Sequence, residues 1–180
     1  MDEHLADDGM VSAARADRAA FAQVYRRYEQ VIYRYLLTKV NNWQDAQDLT
    51  AQTFAAALQI FDDYRADGSL VAWLTVIARN LAVSHYRRQR YEISLDDDTP
   101  LSTPGTEEIV GQRLRMAAVL EGLNRLQPER AEVIRLRLFA ELSTAETARV
   151  MNKTEGAVKM LLLRALRDLR QHVVREETGE

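Results

Sequence analysis

The feature that most constrains the fold is a long stretch without the residues that interrupt helices. No glycine or proline occurs between Phe21 and Gly68, and apolar residues recur through this stretch at the three-to-four-residue spacing of an amphipathic helix. The first set is Phe21, Val24, Tyr25, Tyr28, Ile32, Tyr35 and Leu36. Asn41 and Asn42 break the pattern, and Asn42 or Asp45 could cap a second helix. The spacing predicts an all-α fold.

Composition narrows the class of protein further. The chain has 180 residues, enough for one or two small domains. It contains no cysteine, which excludes a disulfide framework, a zinc ribbon and thiol catalysis. It lacks a run of about 18 apolar residues that could span a bilayer, and residues 1–4 are acidic rather than a basic leader. We therefore predict a cytoplasmic protein without membrane insertion.

The net charge of −3 conceals an alternation of sign along the chain. Residues 21–91 carry nine bases against six acids, and residues 113–171 carry twelve bases against seven acids. Between them, residues 92–112 hold six acids and no base. Two basic lobes separated by an acidic strip are consistent with nucleic-acid binding by each lobe, which the modest overall charge would hide.

We therefore expect two small helical domains joined by a flexible acidic linker. The expected organisation is a loosely ordered lead-in at 1–17, a first lobe at 18–91, the linker at 92–112, a second lobe at 113–172 and a tail at 173–180. The linker is rich in turn-forming and charged residues, including the run 96–98 of three aspartates. It could be only a solvated tether, or it could occupy a basic channel that nucleic acid otherwise uses.

A helix predicted to begin after Ser69 has two unlike faces. Ser69 follows a glycine-containing turn and is a good N-cap. One face is an apolar stripe of Leu70, Trp73, Leu74, Ile77, Ala78 and Leu81. The other face carries Thr75, Arg79, Ala82 and Tyr86, flanked by Asn80, Ser84 and Arg87. Aromatic rings among arginine and asparagine suit an opened nucleic-acid strand, although the basic residues could instead only complement the helix dipole.

The preceding helix, predicted at about residues 43–61, has two apolar rows. Phe54, Leu58 and Phe61 form the larger row. Leu49, Thr53, Ala56 and Ile60 lie nearly opposite, bordered by Asp45, Asp48, Gln52 and Gln59. We expect the phenylalanine row to serve the core and the Leu49 row to be free for a helix-to-helix contact with a protein partner. The alternative is a central helix with both rows buried.

The second lobe contains the pattern of a helix-turn-helix. Ser143 and Glu146 have the spacing of a capping box at the start of a short helix. That helix closes at residues 151–153, and Thr154 caps the last helix. Its inward stripe is Val158, Leu161, Leu162, Ala165 and Leu169, and its outward face is Lys159, Met160, Leu163, Arg164, Arg167 and Arg170. Such a basic outer face suits a DNA major groove.

These motifs resemble a bacterial RNA polymerase sigma factor of the small extracytoplasmic-function group. The resemblance covers about residues 18–172. It is carried by segments 45–54, 73–81, 86–88, 126–130, 156–159 and 164–165. Three positions depart from the family pattern: Thr147 replaces a common aliphatic residue, Gln127 interrupts a usual Leu-Pro pair, and Met160–Leu161 replaces a small or basic pair.

The resemblance implies particular roles for both lobes. Asp45, Asp48, Leu49 and Gln52 would dock on the clamp helices of RNA polymerase core enzyme. The minus-ten promoter element would be bound and opened by Asp67, Gly68, Ser69, Arg79, Asn80, Ser84, Arg87 and Arg88. The minus-thirty-five element would be read by Thr154, Lys159, Met160, Leu163, Arg164 and Arg167. The acidic linker would lie along the path of nascent RNA.

The expected partners are therefore RNA polymerase core enzyme, promoter DNA and an anti-sigma factor, with a monomer outside the holoenzyme. No cofactor or metal is expected. His4, His85 and His172 are far apart, and the run 96–98 lies in a flexible strip unsuited to a cation site, so an enzyme is not expected. The rival interpretation is a helix-turn-helix regulator that binds duplex DNA alone.

Overall fold

The computed structural model describes the backbone of residues 2–65, 69–92 and 107–178, and the side chains of residues 7–65, 69–89 and 116–171. The helices are α1 (Asp2–Ala16), α2 (Phe21–Val40), α3 (Trp43–Gln59), α4 (Leu70–Glu92), α5 (Glu107–Asn124), α6 (Pro128–Ile134), α7 (Thr144–Met151) and α8 (Glu155–Thr178). Short 3-10 turns lie at Arg18–Ala20 and Phe61–Asp63, and a π-helical turn at Arg135–Phe139. These ranges contain no strand, which confirms the all-α prediction.

The first lobe is a bundle of α1 to α4. Asn41 ends α2 in the left-handed conformation (φ 55°), and the Asn42 side chain caps α3 by accepting from the Gln44 and Asp45 amides at 2.8 and 3.0 Å. The most deeply buried large side chains of this lobe are Val24, Ile32, Tyr35, Leu36, Leu37, Leu49, Leu70 and Leu74. Burying such apolar surface between the helices is the main source of the lobe's stability.

The expectation of a loosely ordered lead-in is wrong, because α1 is a packed helix. Val11 and Ala14 are 6% and 3% exposed and belong to the first lobe's core. Asp7 lies on the same side of the helix and is only 3% exposed. The acidic composition of this segment suggested a solvated tail, but its few apolar residues are spaced to share one helix face.

The prediction of a free Leu49 row on α3 is also wrong. In the Leu49 row, Leu49 is 1% exposed and Thr53 is fully buried. Phe54 in the opposite row is also buried. Helix α3 packs against both α2 and α4, so it is the central helix of the lobe, and both rows are buried along most of their length, with Ile60, just past the helix end, 44% exposed. The alternative left open by the sequence is the one that the structure shows.

Part of the segment predicted to be a linker, residues 92–112, is helical. Helix α4 continues to Glu92, and α5 already begins at Glu107, so residues 107–112 are helical rather than linker. Apolar residues are sparse there, which is why the acidic composition dominated the prediction. Residues 93–106, which include the three aspartates at 96–98, lie outside the described residues.

The second lobe is built from α5 to α8 and contains the predicted helix-turn-helix. Its core includes Leu123, Val133, Ile134, Val158 and Ala165. Ser143 and Glu146 form the reciprocal capping box on α7, and Asn152 ends α7 with a left-handed backbone (φ 53°). Thr154 accepts a hydrogen bond from the Ala157 amide at 3.2 Å. The local predictions for both helices are therefore confirmed.

The two lobes pack against each other. Leu136, Ala140 and Leu142 of the second lobe are fully buried and join the core of the first. Helix α2 contacts the π-helical turn, and α4 contacts α7. This arrangement decides which faces of α4 remain open to a partner.

Candidate nucleic-acid and polymerase interfaces

The outer face of α8 is open along the described part of the helix. Val158 and Ala165 anchor the helix inward, being 1% and 0% exposed. The predicted contact residues Thr154, Lys159, Met160, Leu163, Arg164 and Arg167 are all exposed. Met160 and Leu163 are 50% and 52% exposed, which is high for large apolar side chains on a folded surface. A solvated face that mixes cations with methyl groups can contact both DNA phosphates and thymine methyls.

Helix α4 presents a different face from the one expected. Thr75 and Ala82 are fully buried, and the Tyr86 hydroxyl donates to the Lys39 carbonyl oxygen. Half of the predicted face, Thr75 and Ala82, is therefore inside the lobe, whereas Arg79 and Tyr86 remain partly exposed. Periodicity defined the row correctly, but packing against α2, α3 and α7 buried part of it.

The open face of α4 is a neighbouring row that contains most of the other predicted residues. Val76, Asn80, Val83 and Arg87 are exposed and recur at helical spacing, with Arg88 exposed beside them. Ser84 is half-buried at the edge of this row. Asp67 and Gly68 lie outside the described residues. The open row carries two cations, an amide and two apolar groups, a mixture that suits bases and phosphates of a single strand.

Ser69 caps α4 as predicted, but it is also contacted by the second lobe. The Ala72 amide donates to its hydroxyl oxygen at 3.3 Å. Ser69 also hydrogen-bonds, through side chain and backbone, to the Glu146 carboxylate of α7. Burial alone would raise the pKa of Glu146, but hydrogen bonds from Ser143 and Ser69 outweigh it and lower that pKa below its ordinary value.

Arg79 is partly exposed but is hydrogen-bonded to the second lobe. Its Nη1 donates to the Val150 carbonyl oxygen at 2.9 Å, and its Nε lies 3.6 Å from the Glu132 carboxylate. Glu132, 8% exposed, also accepts from Lys39 Nζ at 2.7 Å and from the Tyr35 hydroxyl at 3.1 Å. One buried carboxylate of the second lobe thus holds three side chains of the first.

Burial near Glu132 shifts the pKa values of two neighbouring side chains, Tyr35 and Arg135. Burial raises the pKa of Tyr35 well above its ordinary value, so the phenol remains a donor. Burial likewise lowers the pKa of Arg135, partly offset by Glu132, and Arg135 Nε donates to the Thr38 carbonyl oxygen at 2.9 Å. The sequence patterns did not single out Glu132. The available signal was an acid within the apolar run at 131–134.

A cavity of about 220 Å³ lies where α4 and α7 meet. It is lined by Tyr64, Ser69, Ala72, Trp73, Val76, Glu146, Arg149 and Val150. Trp73 packs against the core beneath it, with its ring 5.1 Å from that of Tyr64 and 6.0 Å from that of Phe61. The place predicted to receive an opened base is therefore bordered by the second lobe.

The predicted docking residues on α3 separate into three kinds. Asp48 and Gln52 are exposed. Asp45 is half-buried, with its Oδ2 3.3 Å from His85 Nε2, an ion-pair distance without hydrogen-bond alignment, and 3.4 Å from Gln89 Nε2. Leu49 is inside the core and offers no surface. The exposed stripe of α3 is thus polar, and its apolar component belongs to the lobe's own packing.

Two absences hold for the parts of the chain that the structure describes. None of the helices there is long and apolar enough to cross a membrane. The described side chains also contain no cluster of three or more histidine, aspartate or glutamate residues placed to hold a metal ion.

Comparison with known proteins identifies the architecture. Residues 24–91 match the family described as Sigma-70 region 2, and residues 116–169 match Sigma-70, region 4. The ECF RNA polymerase sigma factor BldN of Streptomyces coelicolor is 38% identical over 166 residues, which are 89% of this chain and 63% of BldN. This chain therefore spans less than two thirds of that relative's length.

Two further relatives are covered almost completely. RNA polymerase sigma factor YlaC of Bacillus subtilis is 28% identical over 168 residues, 91% of this chain and 97% of YlaC. The structure of CnrH, determined in complex with the cytosolic domain of CnrY, has a TM-score of 0.73 at 25% identity and covers 93% of this chain and 97% of that one. The chain therefore belongs to the sigma-70 family of RNA polymerase sigma factors, in the extracytoplasmic-function group. Proteins of this family are transcription initiation factors rather than enzymes.

Proposed function

We propose that this protein binds RNA polymerase core enzyme, directs it to specific promoters and opens the downstream element. The observation that carries the proposal is the outer face of α8, where every predicted minus-thirty-five contact residue is exposed on a capped helix-turn-helix. The separate matches of the two lobes to Sigma-70 region 2 and Sigma-70, region 4 support a division of this function between them. We propose residues 18–91 as the polymerase-docking and melting unit and residues 113–172 as the upstream-element reader.

Polymerase docking is proposed for the exposed stripe of α3. Asp48 and Gln52 supply an acid and an amide that a basic or polar helix could contact. Asp45 borders the stripe, although its carboxylate also faces α4. Leu49 supports this surface from within the core, so its replacement would disturb folding as well as docking. We expect Asp48→Arg to reverse the local charge without removing any buried contact.

Downstream-element opening is proposed for the open row of α4 with the connection before it. Exposing a base costs a few kcal/mol of unstacking, so a capture site must hold the base once it leaves the helix. Asn80 and Ser84 supply hydrogen-bonding groups, while Arg87 and Arg88 can pair with phosphates. We propose that the preceding positions Asp67, Gly68 and Ser69 hold the captured base, with Asn80 and its neighbours lining the approach.

Two of the proposed promoter contacts in the first lobe are engaged by the second lobe. Glu146 contacts Ser69, and Arg79 donates to the Val150 carbonyl oxygen, so two proposed promoter contacts are engaged in the packed arrangement. DNA cannot take the same hydrogen bonds while α7 holds them. We propose that Arg79 and Ser69 reach the promoter only after the lobes separate, with residues 93–106 as the tether between them.

The proposed protein partner besides polymerase is an anti-sigma factor. CnrH, the structural relative, was captured with the cytosolic domain of CnrY, and a two-lobed chain of the same fold offers a comparable surface. We further propose that the protein acts in the cytoplasm, where polymerase and promoter DNA are found, and that it is monomeric outside the holoenzyme.

The deciding experiment is co-elution with purified core polymerase, followed by promoter binding with and without core enzyme. We expect the wild-type protein and Asp62→Arg to co-elute with core enzyme, because Asp62 is exposed in a separate pair with Arg18. We expect Asp48→Arg to fail to co-elute while keeping its helical circular dichroism. Tight duplex binding by the isolated protein as a dimer, without core association, would favour the helix-turn-helix regulator instead.

A further inference from the structure

Helix α1 is hydrogen-bonded to Tyr64, which follows α3, and to the first residue of α4. The Arg15 guanidinium donates to the Tyr64 carbonyl oxygen. The Leu70 amide donates to Asp7 Oδ2 at 3.4 Å. Asp7 and Arg15 are separated by about 12 Å along a helix axis. One rigid element therefore contacts both Tyr64 and the first turn of α4, which border the cavity.

Asp7 is held firmly enough to act as an anchor. It is 3% exposed, and a buried carboxylate is tolerated only when it is paired. The Tyr28 hydroxyl donates to its Oδ1, and Arg27 Nε lies 3.8 Å from the same oxygen. Burial, together with this hydrogen bond, raises the pKa of Tyr28, so the phenol remains a donor.

The contact with Leu70 has a clear electrostatic reason. The first amides of a helix have no partner within the helix, and the helix dipole favours negative charge at that end. Asp7 supplies that charge from a different helix, 63 positions earlier in the chain. The Ser69 hydroxyl satisfies another amide of the same turn. The start of α4 is therefore fixed partly by a residue of α1.

We propose that α1 is a brace for Tyr64 and the first turn of α4, which border the cavity, and that Asp7 and Arg15 are positioning residues for capture of an opened base there. This role rests on the proposed function of the first lobe in promoter opening. Binding sites discriminate only when their supporting residues hold them to within a fraction of an ångström. Helix α1 precedes residues 24–91, the part matched to Sigma-70 region 2, so the family match assigns it no role.

The test measures base discrimination rather than activity alone. A downstream element is first selected from a randomised template by the wild-type protein with core polymerase. Opening is followed by 2-aminopurine fluorescence on the selected template and on one with a single base replaced. The ratio of the two opening rates reports how well the captured base is positioned. A simple loss of folded protein lowers both rates together and leaves that ratio unchanged.

We expect Asp7→Ala and Arg15→Gln to reduce this ratio about tenfold, as loss of one charged hydrogen bond predicts, at unchanged core occupancy. Asp7→Asn, which keeps an acceptor, and Arg15→Lys, which keeps a charged donor on a long side chain, should restore part of it. Arg18→Gln is the matched control, because Arg18 pairs with Asp62 on the solvated surface at 3.5 Å. A ratio within twofold of wild type for both Asp7→Ala and Arg15→Gln would overturn the brace. Failure of the wild-type protein to open any template with core enzyme would overturn the proposed function itself, and the brace with it.

Discussion

Replacing Glu132 by glutamine should loosen the contact between the lobes. The change keeps the side chain's size but removes the charge that Lys39 and Arg79 share, and it places amide hydrogens where acceptors are needed. Removing one partner of a buried ion pair costs about 3–5 kcal/mol. The Lys39 side chain is 16% exposed but that of Arg79 is 40% exposed, so the second interaction is discounted for solvent screening. We expect a loss of about 2–4 kcal/mol in lobe association.

The assay combines urea unfolding with a distance between spin labels on exposed positions of α3 and α8. Glu132→Gln should broaden the distance distribution and separate the unfolding of the lobes, because Val133 and Ile134 still anchor α6 within the second lobe. Glu129→Gln is the matched control, since Glu129 lies on the same helix and pairs with Lys153 at 2.9 Å while being 66% exposed. Its cost should stay below about 1 kcal/mol. An unchanged distance distribution and an unfolding free energy within about 0.5 kcal/mol of wild type would refute the assigned role.

Three further outcomes are expected. Thr147→Val should stabilise the protein by about 1 kcal/mol in urea unfolding, because the buried Thr147 hydroxyl has no hydrogen-bond partner. The control variant Thr53→Val should destabilise it by about the same amount, because the Thr53 hydroxyl donates to the Leu49 carbonyl oxygen at 2.7 Å. A control that behaves like Thr147→Val would contradict this reasoning. Glu146 has a lowered pKa in the folded protein, so its contribution to stability is present above its unfolded-state pKa and is lost as pH falls through its folded-state pKa. Glu146→Gln should therefore remove this loss of unfolding free energy at acidic pH. A pH profile of stability identical to that of wild type would contradict this role of Glu146. Replacing Lys159, Arg164 and Arg167 of α8 by alanine should reduce upstream-element affinity. It should also lower the slope of log affinity against log salt concentration by about one unit for each phosphate interaction removed. Fluorescence anisotropy across salt concentrations measures both effects, and an unaltered slope would mean that another face binds DNA.

Local chemistry could be predicted from the sequence because it acts over three or four residues. The capping box of Ser143 and Glu146, the Asn42 cap and the Thr154 cap all form as their spacing indicates. The inward stripe of α8 follows equally, since periodicity alone separates a buried face from a solvated one at the edge of a lobe. The same periodicity predicts the exposed outer face of α8.

Tertiary structure decided what periodicity could not. The two apolar rows of α3 were visible in the sequence, but only the presence of helices on both sides buried Leu49 along with Phe54. Asp7 reads as one of several acids in an acidic segment, and its burial depends on Tyr28 and on the start of α4. A sequence pattern reports which residues share a face, whereas burial of that face depends on partners that are distant in the chain.

The same distinction separates the two surfaces proposed to bind promoter DNA. The α8 surface could be assigned from the sequence because its open side is the one that its own lobe leaves uncovered. The α4 surface could not, because Glu132 and Glu146 approach it from more than 50 positions further along the chain and engage Arg79 and Ser69. A buried carboxylate must find cations and donors wherever the fold brings them, and that pairing is a property of the packed lobes rather than of either helix alone.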